Sequence, residues 1–241
     1  MKKFIFLLAA LFICHAASAG TLKSETIQDQ GVTRSYYIYL PADLPANAPL
    51  VFILHGYGGS AQAYVNNSSL TFKELAEEYK VALCYPQATT DPRPNTGWNV
   101  YYPWQIDKMK IDDCEFICNL AKHLHTKYNL SAKNTFLTGM SNGGEMCYLM
   151  AYRKASEFAA IASMAGLTLT EMAKRHNYET PIAFMEVHGT GDMTSRWEGD
   201  PINQFGWGAY LAVPVAVGAV AAANKCMYQE TTELPQIKNK V

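Results

Sequence analysis

Ser141 is the residue of this chain best placed to act as a nucleophile. It stands in Gly139-Met140-Ser141-Asn142-Gly143-Gly144, where an apolar, strand-like run over 134–138 gives way to a helical pattern starting near Glu145. A serine at the tip of so tight a strand-to-helix turn brings the residues two before and two after it together, and glycine is required there. Gly139 and Gly143 fill both places. Two further strand ends carry matching groups. His55-Gly56-Tyr57-Gly58-Gly59 follows the apolar run 49–54, and its glycines let the backbone approach a ligand closely. Such a turn and the residue after a nucleophile each supply one amide to a developing oxyanion, here those of Tyr57 and Asn142. Asp192 closes the turn His188-Gly189-Thr190-Gly191-Asp192 and suits the task of orienting an imidazole, with Glu198 and Asp200 as nearby rivals.

These groups need a scaffold that collects strand ends. Residues 22–28 and 33–40 alternate as a hairpin around Gln30-Gly31, and the runs 49–54, 81–85, 158–164 and 181–187 read as further strands. Thr71-Phe72-Lys73-Glu74 has capping-box spacing ahead of an apolar face of Phe72, Leu75, Ala76 and Tyr79. From Asp112 onward Phe116, Ile117, Leu120, Ala121 and Leu124 form one helical stripe. Strands alternating with helices predict a doubly wound, mostly parallel α/β sheet with its functional groups at the carboxyl ends of strands.

The ends and composition narrow the setting. Lys2 and Lys3, an apolar run over 4–13 and Ala17-Ser18-Ala19 read as a secretory signal over 1–19, with the mature domain at 20–241. The whole chain has 20 basic and 21 acidic residues; without the two signal lysines the balance is 18 against 21, and nothing points to nucleic acid. No run offers the roughly 18 uninterrupted apolar residues of a membrane span; the Gly- and Ala-rich stretch 207–223 comes nearest and contains Pro214. Cys84, Cys114, Cys118, Cys147 and Cys226 follow the signal, an odd number. Cys114 and Cys118 lie one helical turn apart and read as core residues, because no second ligand pair accompanies them; no metal site and no cofactor is expected.

Several of these segments together resemble the secreted α/β-hydrolase esterases that include feruloyl esterases, acetyl xylan esterases and polyhydroxybutyrate depolymerases. The resemblance is carried by Arg34-Ser35-Tyr36-Tyr37-Ile38-Tyr39-Leu40-Pro41, Leu54-His55-Gly56-Tyr57-Gly58-Gly59, Ile111-Asp112-Asp113, the Ser141 motif with Thr138, and Val187-His188-Gly189-Thr190-Gly191-Asp192. It implies a serine esterase with Ser141 and Asp192 catalytic and Tyr57 and Asn142 as oxyanion donors. The substrate would be an ester, feruloyl or acetyl, on plant polysaccharide; a polyhydroxyalkanoate depolymerase is the alternative. The aromatic loop with Trp98, Tyr101, Tyr102 and Trp104 either stacks on substrate or serves as packing. The family's catalytic histidine lies beyond the aspartate, yet no histidine follows His188. The expectation is therefore a C-terminally truncated member lacking the last strand and histidine loop. A remnant that is catalytically dead and retains at most ligand binding is the competing reading. No protein partner is inferred.

Overall fold

The computed structural model describes residues 20–67 and 72–232; the expected signal, Thr71 of the capping box and residues 233–241 lie outside them. Strands β1 (Thr21–Asp29) and β2 (Val32–Leu40) form the expected hairpin. Its two-residue turn puts Gln30 at φ 48° and Gly31 at φ 79°, the doubly left-handed turn that matches strand twist. Then come β3 (Ala48–Leu54), α1 (Ala61–Asn66), α2 (Phe72–Tyr79), β4 (Ala82–Pro86), α3 (Asp113–Tyr128), β5 (Leu130–Met140), α4 (Asn142–Arg153), β6 (Ala160–Met164), α5 (Thr170–Arg175), β7 (Ala183–Val187) and α6 (Val213–Ala223).

Seven strands make one mixed sheet in the order β1-β2-β4-β3-β5-β6-β7. β1, β2 and β4 pair antiparallel, and β4, β3, β5, β6 and β7 run parallel. The parallel strands explain the unbroken apolar runs: all five residues of β4 are buried, as a strand covered on both faces must be. The larger core sets Leu50, Phe52, Leu137 and Ile161 against Phe116, Leu120 and Leu124 of α3 and Met146, Leu149 and Met150 of α4. The smaller core sets Ile53, Leu83 and Tyr85 against Ala61 and Val65 of α1 and Ala76 of α2. Helices therefore lie on both faces, as predicted.

That second layer stops short of the far edge. Past β3 the same face is open among the described residues, and Val51, Phe136, Ala160, Ala162, Ala183 and Met185 line a cleft of about 400 Å³ there. Among the described residues β7 pairs only with β6, and its Met185 and Val187 are exposed. Residues 188–212 leave β7 as a loop that folds back through the bridge Asp200↔Tyr210 before α6.

Two motifs singled out in the sequence hold the left half of the sheet to its helices. Arg34 of β2 donates through Nη2 to Asp113 Oδ1 at 2.8 Å, with both side chains buried and the guanidinium 3.6 Å above the Phe116 ring. Asp113 Oδ2 also accepts the Asn99 amide. Asp112 caps α3, accepting the amides of Cys114 and Glu115, and pairs with Arg153 of α4. Cys84, Cys114, Cys118 and Cys147 are buried and free, as core packing requires, and Cys226 is exposed and free. No described helix is long and apolar enough to cross a membrane.

Candidate active site

Ser141 lies between β5 and α4, at φ 55° and ψ −122°, a left-handed backbone that L residues seldom adopt. The flanking glycines are there for space. A Cβ at Gly139 would stand 2.5 Å from the Gly143 backbone, and one at Gly143 would stand 2.5 Å from Leu54 O. The Ser141 amide donates to Met164 O at 2.8 Å, tying the turn to the end of β6. The side chain makes no capping bond to its own helix and remains partly exposed.

The turn after β3 packs directly on this serine. A Cβ at Gly56 would lie 3.4 Å from Ser141 Cβ and 3.9 Å from its Oγ. Gly58 (φ 70°) donates to Thr96 O and Gly59 donates to Gly56 O, so the turn folds on itself and leaves Tyr57 between them. Asn142 opens α4, so its amide has no intrahelical acceptor. Its side chain is locked: Oδ1 accepts the Trp98 amide at 2.7 Å while Nδ2 donates to Trp98 O and Glu145 Oε2. Both expected oxyanion donors are thus carried by backbone held from several sides.

Asp192 sits in the turn after β7, where its Oδ1 accepts the amides of Thr194 and Ser195 at 2.7 and 2.8 Å. The rival Asp200 is buried and spends both oxygens on the amides of Gln204 and Phe205. Asp200 thereby serves the loop, whereas Asp192 keeps Oδ2 outside these bonds.

Four of the five described histidines are hydrogen-bonded elsewhere, and His123 of α3 has a buried Nε2 without a partner. His55 precedes the Gly56 that packs on Ser141, but its Nε2 accepts the Ala88 amide, so Nδ1 carries the hydrogen and donates to Gly56 O at 2.8 Å. Burial lowers its pKa, which keeps the ring neutral and structural. His188 is bonded at both nitrogens, to Glu186 and Ser195 O. His125 Nε2 meets Thr135 Oγ1, and His176 Nε2 meets the Tyr101 hydroxyl.

Of the two readings of the aromatic loop, packing describes Trp98. Its ring is fully buried, its Nε1 donates to His55 O, and no face is left for a ligand. Trp104 is nearly buried as well, with the Arg93 guanidinium 3.6 Å from its ring and Tyr102 stacked at 4.5 Å. Tyr101 of the loop is partly exposed, as are Tyr57 and Trp207, which lie 5.7 Å apart edge to face. Trp207 was not singled out from the sequence because it comes from the loop after β7, far along the chain. Asp91 ties this wall together by accepting from Tyr57 and Trp104 through Oδ2. Burial would raise its pKa, but these bonds outweigh burial and leave it lowered.

The family described as esterase PHB depolymerase matches residues 34–195, which include the whole constellation. The chain belongs to this family. This chain is 31% identical to acetylxylan esterase A of Talaromyces purpureogenus over 151 residues, 62% of this chain and 38% of that one. It is 28% identical to acetylxylan esterase A of Emericella nidulans over 178 residues, 69% of this chain and 57% of the relative. The chain thus spans less than two thirds of the length of these curated relatives. An acetyl xylan esterase structure from Aspergillus awamori superimposes with TM-score 0.53 at 26% identity, over 61% of this chain and 53% of that chain. An S-formylglutathione hydrolase from Agrobacterium tumefaciens superimposes with TM-score 0.61 at 12% identity, over 84% and 83%, a likeness of fold. The fold is that of the α/β-hydrolase esterases, as the sequence led us to expect.

One buried acid beneath the esterase-family site was not legible in the sequence. Glu145, in the first turn of α4, is buried beside Asn142 Nδ2 and the Tyr102 hydroxyl. Burial pushes its carboxyl up to about 7 from an ordinary 4.5, with those two hydrogen bonds opposing. The folded state therefore holds this proton more tightly than the unfolded chain does. Its contribution to stability is complete below about pH 4.5 and is lost as pH rises through 7. The loss is on the order of 3 kcal/mol. Denaturation midpoints across this window should fall for the natural chain and fall much less for Glu145→Gln; parallel pH curves would refute the assignment.

Proposed function

We propose that this chain is a secreted serine esterase that removes acetyl groups from plant polysaccharide. The observation that carries the reading is Ser141 at a left-handed backbone position between β5 and α4 with the Gly56 turn packed against it. Ser141 Oγ would attack the ester carbonyl, the amides of Tyr57 and Asn142 would hold the oxyanion, and water would then hydrolyse the acyl-enzyme. Asp192 would orient the imidazole that takes the serine proton. The named acetylxylan esterases among the relatives favour a small acyl group on a sugar. The family description favours a polyester as the second substrate class. Tyr57 and Trp207 are the groups on which a sugar or aromatic acid could stack.

No described histidine is hydrogen-bonded to Ser141, so the test supplies a base. Exogenous imidazole is added to the purified chain with an acetylated xylo-oligosaccharide, a feruloylated one and a hydroxybutyrate oligomer. The expected result is acetate release above that of Ser141→Ala, lost again in Asp192→Ala. Equal release by the natural chain and Ser141→Ala would refute the nucleophile. Preference for the hydroxybutyrate oligomer would transfer the chain to the second class. Export with cleavage before Gly20, read by amino-terminal sequencing, tests the secretion half.

A further inference from the structure

Glu186 and His188 stand two residues apart where β7 runs into the loop of Asp192. His188 Nδ1 lies 2.9 Å from Glu186 Oε1, and both side chains are almost wholly buried. His188 Nε2 lies 2.6 Å from Ser195 O. A carbonyl oxygen can only accept, so Nε2 carries a hydrogen and donates it. Nδ1 then either donates to an ionised carboxylate or accepts from a protonated one, and in both cases one proton lies between nitrogen and oxygen. Without that proton two lone pairs would face each other in a buried site, which low dielectric makes costly.

The same proton reaches Asp192 through a single residue. Ser195 is held on one side by His188 at its carbonyl and on the other by Asp192 Oδ1 at its amide, 2.8 Å away. The groups facing the pair are the Tyr148 hydroxyl and Cys147 of α4, Ser163 of β6 and the Trp197 ring of the loop. Among the described residues no lysine or arginine pairs with Glu186, whose Oε2 is buried without a hydrogen bond.

We propose that Glu186 and His188 are positioning residues that hold the Asp192 loop through one shared proton. The clamp is closed while the pair keeps that proton and opens in alkaline solution when it is lost. The task given to Asp192 rests on the esterase reading; the clamp itself does not.

The test is amide hydrogen exchange of Ser195, expressed as a protection factor so that intrinsic base catalysis cancels, from about pH 6 to about pH 10. The natural chain should lose about tenfold or more in protection across that range. Glu186→Gln should keep protection level with pH, because its amide donates to a neutral Nδ1 with no proton to titrate. Glu186→Leu should be poorly protected throughout. Imidazole ¹⁵N shifts of His188 in the natural chain give a reading independent of any variant's folding, with Nε2 expected to be protonated. Protection that is flat in the natural chain, equal loss in the Gln and Leu variants, or an unprotonated Nε2 would overturn the proposal. Labelling of Ser141 by a fluorophosphonate, run on the same samples, separates the two readings. Flat protection with normal labelling removes the clamp alone, and intact pH-dependent protection without labelling removes the esterase assignment alone.

Discussion

Without added imidazole, ester turnover by residues 1–241 is expected to fall about 10⁶ short of a serine hydrolase whose nucleophile has a histidine base, the cost of removing a triad histidine. The reason is positional. His55 is close enough to Ser141 for its turn to touch it, yet both ring nitrogens are occupied, one by the Ala88 amide and one by Gly56 O. Freeing Nε2 would strip the Ala88 amide and the Gln87 side chain of their partner and pull on the turn that positions Tyr57. His188 is similarly bound on both sides. Binding and oxyanion stabilisation alone leave about 10³ to 10⁴ over water. The measurement is hydrolysis of 4-nitrophenyl acetate by the natural chain against Ser141→Ala. Fast turnover abolished by Ser141→Ala would show that another group takes the proton, with His55→Gln the next variant to make.

The largest loss of stability is expected from Asp113→Ala. Arg34 is buried and its charge is met by Asp113 alone among the described carboxylates, so truncating the acid strands a guanidinium in the core. Such a break costs about 3–5 kcal/mol. Against a typical total of about 5–15 kcal/mol it leaves the domain marginal. Asp113 also holds the Asn99 amide, so the loop that carries Trp98 should loosen with it. Replacing both partners, Arg34→Met with Asp113→Leu, should recover most of the loss because no charge is then left unpaired. Urea midpoints of the natural chain, the single variant and the double variant decide the matter. A double variant no more stable than Asp113→Ala would mean that the acid acts through Asn99 rather than through Arg34.

Much of the fold could be read from period and punctuation. Apolar runs located β3, β4 and β7 to within two residues because these strands are covered or half covered and need no alternation. The errors have local causes. β5 begins at Leu130, four residues before the expected run, because Ser131, Ala132 and Lys133 are polar or small; Leu130 pairs with Ala48 at the start of β3, ahead of a register shift. α4 begins at Asn142 rather than near Glu145, since two glycines hide helical backbone that tertiary contact imposes. α6 is apolar nearly all round, Val-Pro-Val-Ala-Val-Gly-Ala-Val, and gives no helical stripe to find. At the site, Ser141, Tyr57, Asn142 and Asp192 were marked by glycine spacing at strand ends. Glu145, Glu186, Asp91 and Trp207 carry no such mark. Each matters through a partner distant in sequence or through burial that composition does not reveal.

The open face beyond β3 also governs how this protein must be handled. Met185 and Val187 on a strand with one edge unpaired among the described residues, beside a cleft of about 400 Å³ lined by alanine, valine and phenylalanine, offer two chains a mutually adhesive surface. Self-association through such a surface is second order in chain concentration, whereas folding is first order. Dilution therefore favours the monomer at no cost in folding rate, and refolding yield should climb as the protein is made scarcer.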